Sequence, residues 1–373
     1  MKKYKVMSVF GTRPEAIKMV PVIKELEKCD GIESIVCVTA QHREMLDQVL
    51  EIFDIKPNYD LDVMKDRQTL TGVSVRILEK MDVILNEEKP DLILIQGDTA
   101  TVLMASIAAF YNKIKVGHIE AGLRTYNKYE PFPEEMNRKL TGCIADIHFA
   151  PTENAKQNLL KENVDNNTIY VTGNTSIDVL AYTIRDGYTF KEEVLNKIDY
   201  KNKKVIVMTA HRRENLGEPL VSICEAALKL ANDNKDVEVV YAVHKNPAVQ
   251  EVARKVLGDH AQIHLIEPLD IEDMHNLMSK CYLVMTDSGG IQEEVPSLGK
   301  PVLVLRNVTE RPEGVEAGTL KLVGTDKEVI VSTAQMLIND GLEYEKMAQA
   351  KNPFGDGTAG KQIVEIIKNY KGS

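Results

Sequence analysis

At 373 residues the chain has room for about two domains, taking ~150 residues per domain as a guide. Hydrophobic residues make up 43%, charged residues 27%, and the formal charge is −10, with no Trp. That composition fits a globular protein with a sizeable core and excludes one that wraps nucleic acid.

No apolar run approaches the ~20 residues of a membrane span. The basic start, residues 1–5, leads into a short apolar run that Gly11-Thr12-Arg13-Pro14 ends. This reads as a first strand, not an export signal, and predicts a cytoplasmic protein without membrane partners. Cys29, Cys37, Cys143, Cys224 and Cys281 are scattered without a CxxC pair, which favours reduced thiols over a disulfide framework or a zinc site.

In chain order, Val/Ile-rich runs predict strands at 5–10, 34–39, 91–95, 115–119, 147–150 and 168–171. A second series follows at 204–209, 238–243, 262–266, 282–286 and 301–305. Several are apolar throughout, as strands buried on both faces should be. Amphipathic helical runs lie between them, the first at 14–28 with Ile17, Val20, Ile23 and Leu26 on one face. The alternation predicts an α/β protein of two Rossmann-like, doubly wound parallel-sheet domains. A pause in strand signals over 173–199 marks the boundary, with domains expected at 1–172 and 173–357. The helix expected at 358–370, after the turn cluster 352–357, could return to the first domain.

In open parallel sheets, ligands bind at the carboxyl ends of strands. Here those ends carry Arg13 and Glu15, Gln41 and His42, Gln96 and Asp98, and His118 and Glu120. The second half adds His211-Arg212, His244-Lys245 and Asp287-Ser288-Gly289-Gly290. So many polar ends predict that both sets face one cleft. The 287–290 turn runs from a strand into a helix, and its backbone N–H groups suit a diphosphate, with Glu294 near ribose. Taken alone, it is equally a tight capped turn. No GxGxxG or GxxxxGK[ST] suggests NAD or ATP. Arg13 can clamp phosphate, while Lys18 by itself is more often a solvated helix residue. Asp98, Glu120, Glu134 and Glu135 are each more often structural. Grouped opposite a phosphate site, they suit acid/base work. His211 and His244 could hold a diphosphate or assist its departure. His118 can be explained by hydrogen bonds to backbone, and His148, His260, His264 and His275 read as structural.

Ten stretches together resemble the non-hydrolysing UDP-N-acetylglucosamine 2-epimerases: FGTRPEAIKM (10–19), TAQHR (39–43), QGDTAT (96–101), HIEAGLRT (118–125), FPEEMNR (132–138), TGNTSID (172–178), TAHRREN (209–215), TDSGGIQEE (286–294), GKPVLVLRNVTERPEG (299–314) and GDGTA (355–359). They span the chain. Departures are Phe132, where Trp or Tyr is frequent, and Ala100, where Thr is common. The resemblance implies two Rossmann-like domains about a central cleft (a GT-B-like fold). It also implies a homodimer without NAD or metal, and reversible conversion of UDP-N-acetylglucosamine to UDP-N-acetylmannosamine for cell-envelope polysaccharides. Chemistry would run through loss of UDP to a 2-acetamidoglucal and its re-addition. Asp98, Glu120 and Glu134 would carry the proton and oxocarbenium chemistry, with Lys18 near the sugar and His211 assisting. Arg13, His211, Ser288, Gly289 and Gly290 would hold the diphosphate and Glu294 the ribose. A second, activating UDP-N-acetylglucosamine would meet Gln41, Glu44, Arg67, Arg212 and His244. A glycosyltransferase, a hydrolysing epimerase and a non-catalytic nucleotide-sugar sensor are the rival readings.

Overall fold

Two parallel sheets form where the apolar runs fall. The computed structural model describes residues 3–370 except 42, 66, 67 and 259, and of Glu44 only the backbone. The chain divides into one unit of Met1–Val179 with Phe354–Ser373 and another of Leu180–Pro353.

The first unit holds β1 (Tyr4–Phe10), β2 (Ile32–Val38), β3 (Tyr59–Asp60), β4 (Leu92–Gln96), β5 (Lys115–Ile119), β6 (Ile147–Ala150) and β7 (Ile169–Val171). They pair in the order β3-β2-β1-β4-β5-β6-β7, every pair parallel. The order reverses between β1 and β4, where Val9 registers with Ile95. In a doubly wound sheet, that switch point opens a crevice beyond the strand ends. Helices cover the faces, and Val9, Ile93, Ile95, Ile77 and Val102 lie fully buried in one core.

The second unit holds β8 (Lys204–Thr209), β9 (Val237–Ala242), β10 (Ile263–Ile266), β11 (Leu283–Thr286), β12 (Val302–Val304) and β13 (Leu320–Leu322). Their order is β10-β9-β8-β11-β12-β13, again parallel, with the switch between β8 and β11. There Thr209 and Thr286 register and share a 2.6 Å side-chain hydrogen bond.

The short edge strands β3 and β13 were not among the predicted strands. The unit boundaries fall at 179/180 and 353/354, not at 172/173 and 357/358. The reason is local packing within the first unit. The N–H of Asn174 donates to the carbonyl of Phe354 at 2.6 Å, and Gly173 lies against Gly355. The helix Ala359–Asn369 belongs to the first unit too. Its Gly360 donates to Asp178 at 2.7 Å, and a Cβ there would stand 3.1 Å from Pro21 of the helix Arg13–Glu27.

Candidate active site

In the first unit, β1 runs into Gly11, where an added Cβ would lie 2.0 Å from the Thr39 hydroxyl and 2.6 Å from that of Thr101. Only glycine fits beside this Thr39–Thr101 pair. Thr12 then caps the helix Arg13–Glu27 in a capping box with Glu15. Glu15 is 3% exposed and accepts from the N–H groups of Gly11 (2.7 Å) and Thr12 (2.8 Å) and from the Thr99 hydroxyl. Burial pushes its carboxyl up to about 7, against the pull of those donors. One carboxylate thus ties the loop of Arg13 to the loop of Asp98. Arg13 itself has no ion-pair partner among the described residues.

At the neighbouring end of β4, Gly97 turns with φ +83° and Asp98 follows. The Asp98 carboxylate takes Nε (2.8 Å) and Nη2 (2.7 Å) of Arg138, while Asn137 donates to its backbone carbonyl. At the end of β5, Glu120 occupies the left-handed region at φ +64°. A non-glycine residue held there costs about 1–2 kcal/mol, and such strain collects at functional sites. Its side chain is 8% exposed and receives Lys18 Nζ at 2.5 Å, Asn174 Nδ2 at 3.1 Å and the Gln96 amide. Three donors, one of them the ammonium of Lys18, surround its carboxyl group.

Glu134 opens the helix Glu134–Ile144, partly exposed, while its neighbour Glu135 is buried and accepts from the N–H groups of Thr125 and Tyr126. Of the two, it is Glu135 that fixes the loop. His118 is buried, and of its two ring nitrogens Nδ1 has no hydrogen-bond partner among the described residues. Its Nε2 meets the Gly97 carbonyl at 2.8 Å, and burial takes its pKa down to about 3.

In the second unit, β8 ends at His211 and β11 at Asp287. Asp287 is fully buried, and its Oδ2 accepts from the N–H groups of His211 and Arg212 (both 2.8 Å) and from Asn215 (3.0 Å). Ser288 precedes the short helix Gly289–Glu294 without capping it by its hydroxyl. Arg311 stands beside this turn: a Cβ on Gly289 would lie 3.2 Å from its Cζ, and its Nε pairs with Glu293 at 2.7 Å. Gly290 is exposed. Glu294 sits 3.5 Å from Nε2 of the buried His275, whose Nδ1 meets Thr183 Oγ1 at 2.8 Å. His275 is therefore structural in the sense that it braces Glu294.

Of the five residues expected at a second nucleotide-sugar site, Arg67 and the Glu44 side chain lie outside the described residues. Gln41 accepts weakly from Thr101 at 3.4 Å. Arg212 is anchored to Asp287 through its backbone, and the His244 ring stacks on His211 with centroids 5.0 Å apart and planes 5° from parallel.

Sequence reasoning placed Gln96 and Asp287 at strand ends without giving either a role, and did not single out Arg138, Asn174 or Arg311, although all lie in the quoted stretches. Glu15, placed at the first strand end, also carried a readable signal for its part in the turn, the Thr12-x-x-Glu15 capping box. Among the described residues no group of His, Cys, Asp and Glu is gathered as a metal site. No helix there is long and apolar enough to cross a membrane.

The family model for UDP-N-acetylglucosamine 2-epimerase matches residues 24–368. The chain belongs to the UDP-N-acetylglucosamine 2-epimerase family. The UDP-N-acetylglucosamine 2-epimerase of Bacillus subtilis (strain 168) is 58% identical over 372 residues, covering 100% of this chain and 97% of its own. That of Escherichia coli (strain K12) is 51% identical, covering 98% and 99%. The solved structure of the Neisseria meningitidis enzyme bound to UDP-GlcNAc superposes with a TM-score of 0.85 at 50% identity, covering 98% of this chain and 100% of that one. A Methanocaldococcus jannaschii epimerase in complex with UDP-GlcNAc and UDP gives 0.76 at 33% identity, covering 98% and 99%. Epimerases of this family are isomerases, and the two doubly wound units described above are the fold of these relatives.

Proposed function

We propose that the protein interconverts UDP-N-acetylglucosamine and UDP-N-acetylmannosamine by elimination and re-addition of UDP. The hydrogen on carbon 2 is not activated by a carbonyl, so its removal is coupled to breaking the bond from carbon 1 to the diphosphate oxygen. The product of that step is a 2-acetamidoglucal beside UDP. Re-addition with a proton delivered to the other face of carbon 2 inverts it. The reaction therefore needs an acid or base for each face and a seat for the departing diphosphate.

The observation that carries this reading is Glu120, a strained, nearly buried carboxylate tied to Lys18, one strand from Asp98. A glycosyltransferase or a sensor has no use for such a group beside a second paired carboxylate. Asp98, Glu120 and Glu134 move the protons and stabilise the oxocarbenium character, and Lys18 keeps Glu120 ionised next to the sugar. Arg13, His211, Ser288, Gly289 and Gly290 seat the diphosphate, joined by Arg311, and Glu294 holds the ribose. The donors of this chain supply this chemistry without NAD or a metal ion. Incubation of the purified protein with UDP-N-acetylglucosamine alone tests the reading. The expected product is UDP-N-acetylmannosamine; release of free sugar and UDP, or unchanged substrate, would contradict it.

The product would feed cell-envelope polysaccharide synthesis in the cytoplasm. A homodimer is supported by exposed apolar side chains on three neighbouring helices, Leu70–Glu88 (Val83), Ala100–Tyr111 (Phe110, Tyr111) and Glu134–Ile144 (Leu140). Light scattering should give twice the 41.8 kDa chain mass. Activation by a second UDP-N-acetylglucosamine at Gln41, Glu44, Arg67, Arg212 and His244 predicts a lag when conversion starts from pure UDP-N-acetylmannosamine. Arg67→Ala should lengthen that lag. An immediate full rate would remove the second site.

A further inference from the structure

Asp287 does more than close a turn. Its Oδ2 is saturated by the N–H groups of His211 and Arg212 and by the amide of Asn215. Its other oxygen, Oδ1, is buried and accepts no hydrogen bond. A carboxylate oxygen can only accept, and one left buried without a donor is costly. Nδ1 of His211 is the ion-pairing nitrogen that faces it, at 3.4 Å.

We propose that Asp287 is a positioning residue for His211: it keeps the proton on Nδ1 and thereby turns Nε2 toward the bound nucleotide sugar. This rests on the epimerase reading above, since it assigns His211 its working nitrogen in that reaction. The same carboxylate accepts the backbone N–H of His211 on Oδ2 and faces its ring edge with Oδ1, so ring and main chain are set together. The parallel ring of His244 covers one face and opposes rotation of the imidazole.

The charges around His211 set it to change protonation state as the diphosphate leaves and returns. Burial lowers its pKa, His244 from the end of β9 and Arg212 from its own loop lower it further, and Asp287 from the end of β11 raises it. With Nδ1–H pointed at Asp287, neutral His211 presents a lone pair on Nε2, and protonated His211 presents an N–H there. The ring can then give the Nε2 proton to the diphosphate oxygen as its bond to carbon 1 breaks and take it back as UDP re-adds.

The discriminating variant is Asp287→Asn. The three donors on Oδ2 claim the amide oxygen, so the amide nitrogen faces Nδ1 and demands an acceptor there. The ring is then driven to the Nε2–H tautomer, the logic by which an Asp-to-Asn change disables a catalytic triad while leaving its geometry intact.

The experiment pairs nitrogen-15 NMR of histidine-labelled full-length protein with kinetics. The His211 signal is assigned by its loss in His211→Gln. Wild-type His211 should show a protonated Nδ1 and an unprotonated Nε2. Asp287→Asn should show the reverse, with turnover reduced by about 10²-fold or more and affinity for UDP little changed. The limb of the pH–rate profile that belongs to His211 should move to lower pH, because the charge that raises it has gone. A misfolded turn would instead weaken UDP binding together with turnover.

An Nε2–H tautomer in the wild type overturns the proposal, even if Asp287→Asn fails to fold. So does an Asp287→Asn protein with wild-type turnover and an unmoved limb. If the wild type forms no UDP-N-acetylmannosamine, it is the epimerase reading that falls, and the wild-type spectrum still decides the tautomer.

Discussion

The two units solve the problem of holding charge at a strand end in different ways. In the first, carboxylates are held by other side chains: Glu120 by Lys18, Gln96 and Asn174, and Asp98 by Arg138. In the second, one buried carboxylate, Asp287, grips the backbone N–H groups of His211 and Arg212. The first arrangement fixes carboxyl groups among side-chain donors before substrate arrives, which suits the proton transfer proposed for them. The second leaves N–H donors and cations for an anion to complete. Under the proposed function, the difference teaches that chemistry and anchoring call for different local architecture even on the same strand topology.

The sharpest way to break this division is to neutralise each side in turn. Glu120→Gln and Asp98→Asn should each reduce turnover by about 10²-fold or more, as should Glu134→Gln, while UDP binding measured by calorimetry stays near wild type. Near-normal turnover in all three would remove the acid/base role from the first unit. Glu294→Gln should do the converse. Losing one partner of a charged hydrogen bond costs roughly 1.5–3 kcal/mol, so UDP affinity should fall about tenfold or more with a smaller effect on turnover at saturation. An unchanged UDP affinity would take the ribose away from Glu294.

Two further substitutions probe the frame beneath the first site. Gly11→Ala places a Cβ against Thr39 and Thr101, an overpacking cost of about 1–3 kcal/mol, seen as a lower Tm. A wild-type Tm would mean the turn relaxes freely.

The smallest effect concerns buried His118 at the floor of the first site. Its folded pKa of about 3 lies below the ordinary ~6.5, so the unfolded chain binds more protons between those values. By linkage, His118 makes stability fall as pH drops from about 6.5 toward 3. His118→Gln should flatten that slope relative to wild type in denaturant titrations at several pH values, and an identical slope would show that His118 is not held neutral.

Much of this was legible in the sequence because parallel strands buried on both faces leave continuous apolar runs. Those runs gave the strands of both sheets except β3 and β13, edge strands of two and three residues too short to leave a pattern. The strand-end rule then pointed to Asp98, Glu120, His211 and Ser288. What could not be read was conformation and pairing. The left-handed backbone of Glu120 has no signature in residue type. The tie between Asp98 and Arg138 joins residues far apart in the chain, and so does that between Asp287 and His211. In Asp287-Ser288-Gly289-Gly290 the small residues drew attention to the turn, while the aspartate that organises it looked like ordinary loop polarity.

The central claim is that the carboxylates of the first unit exchange the hydrogen on carbon 2 while UDP departs and returns. Conversion in deuterated water, followed by proton NMR of the nucleotide sugars, tests it most directly. The account predicts UDP-N-acetylmannosamine carrying deuterium at carbon 2, with Glu120→Gln suppressing both conversion and label. Product that retains the original hydrogen at carbon 2 would contradict it.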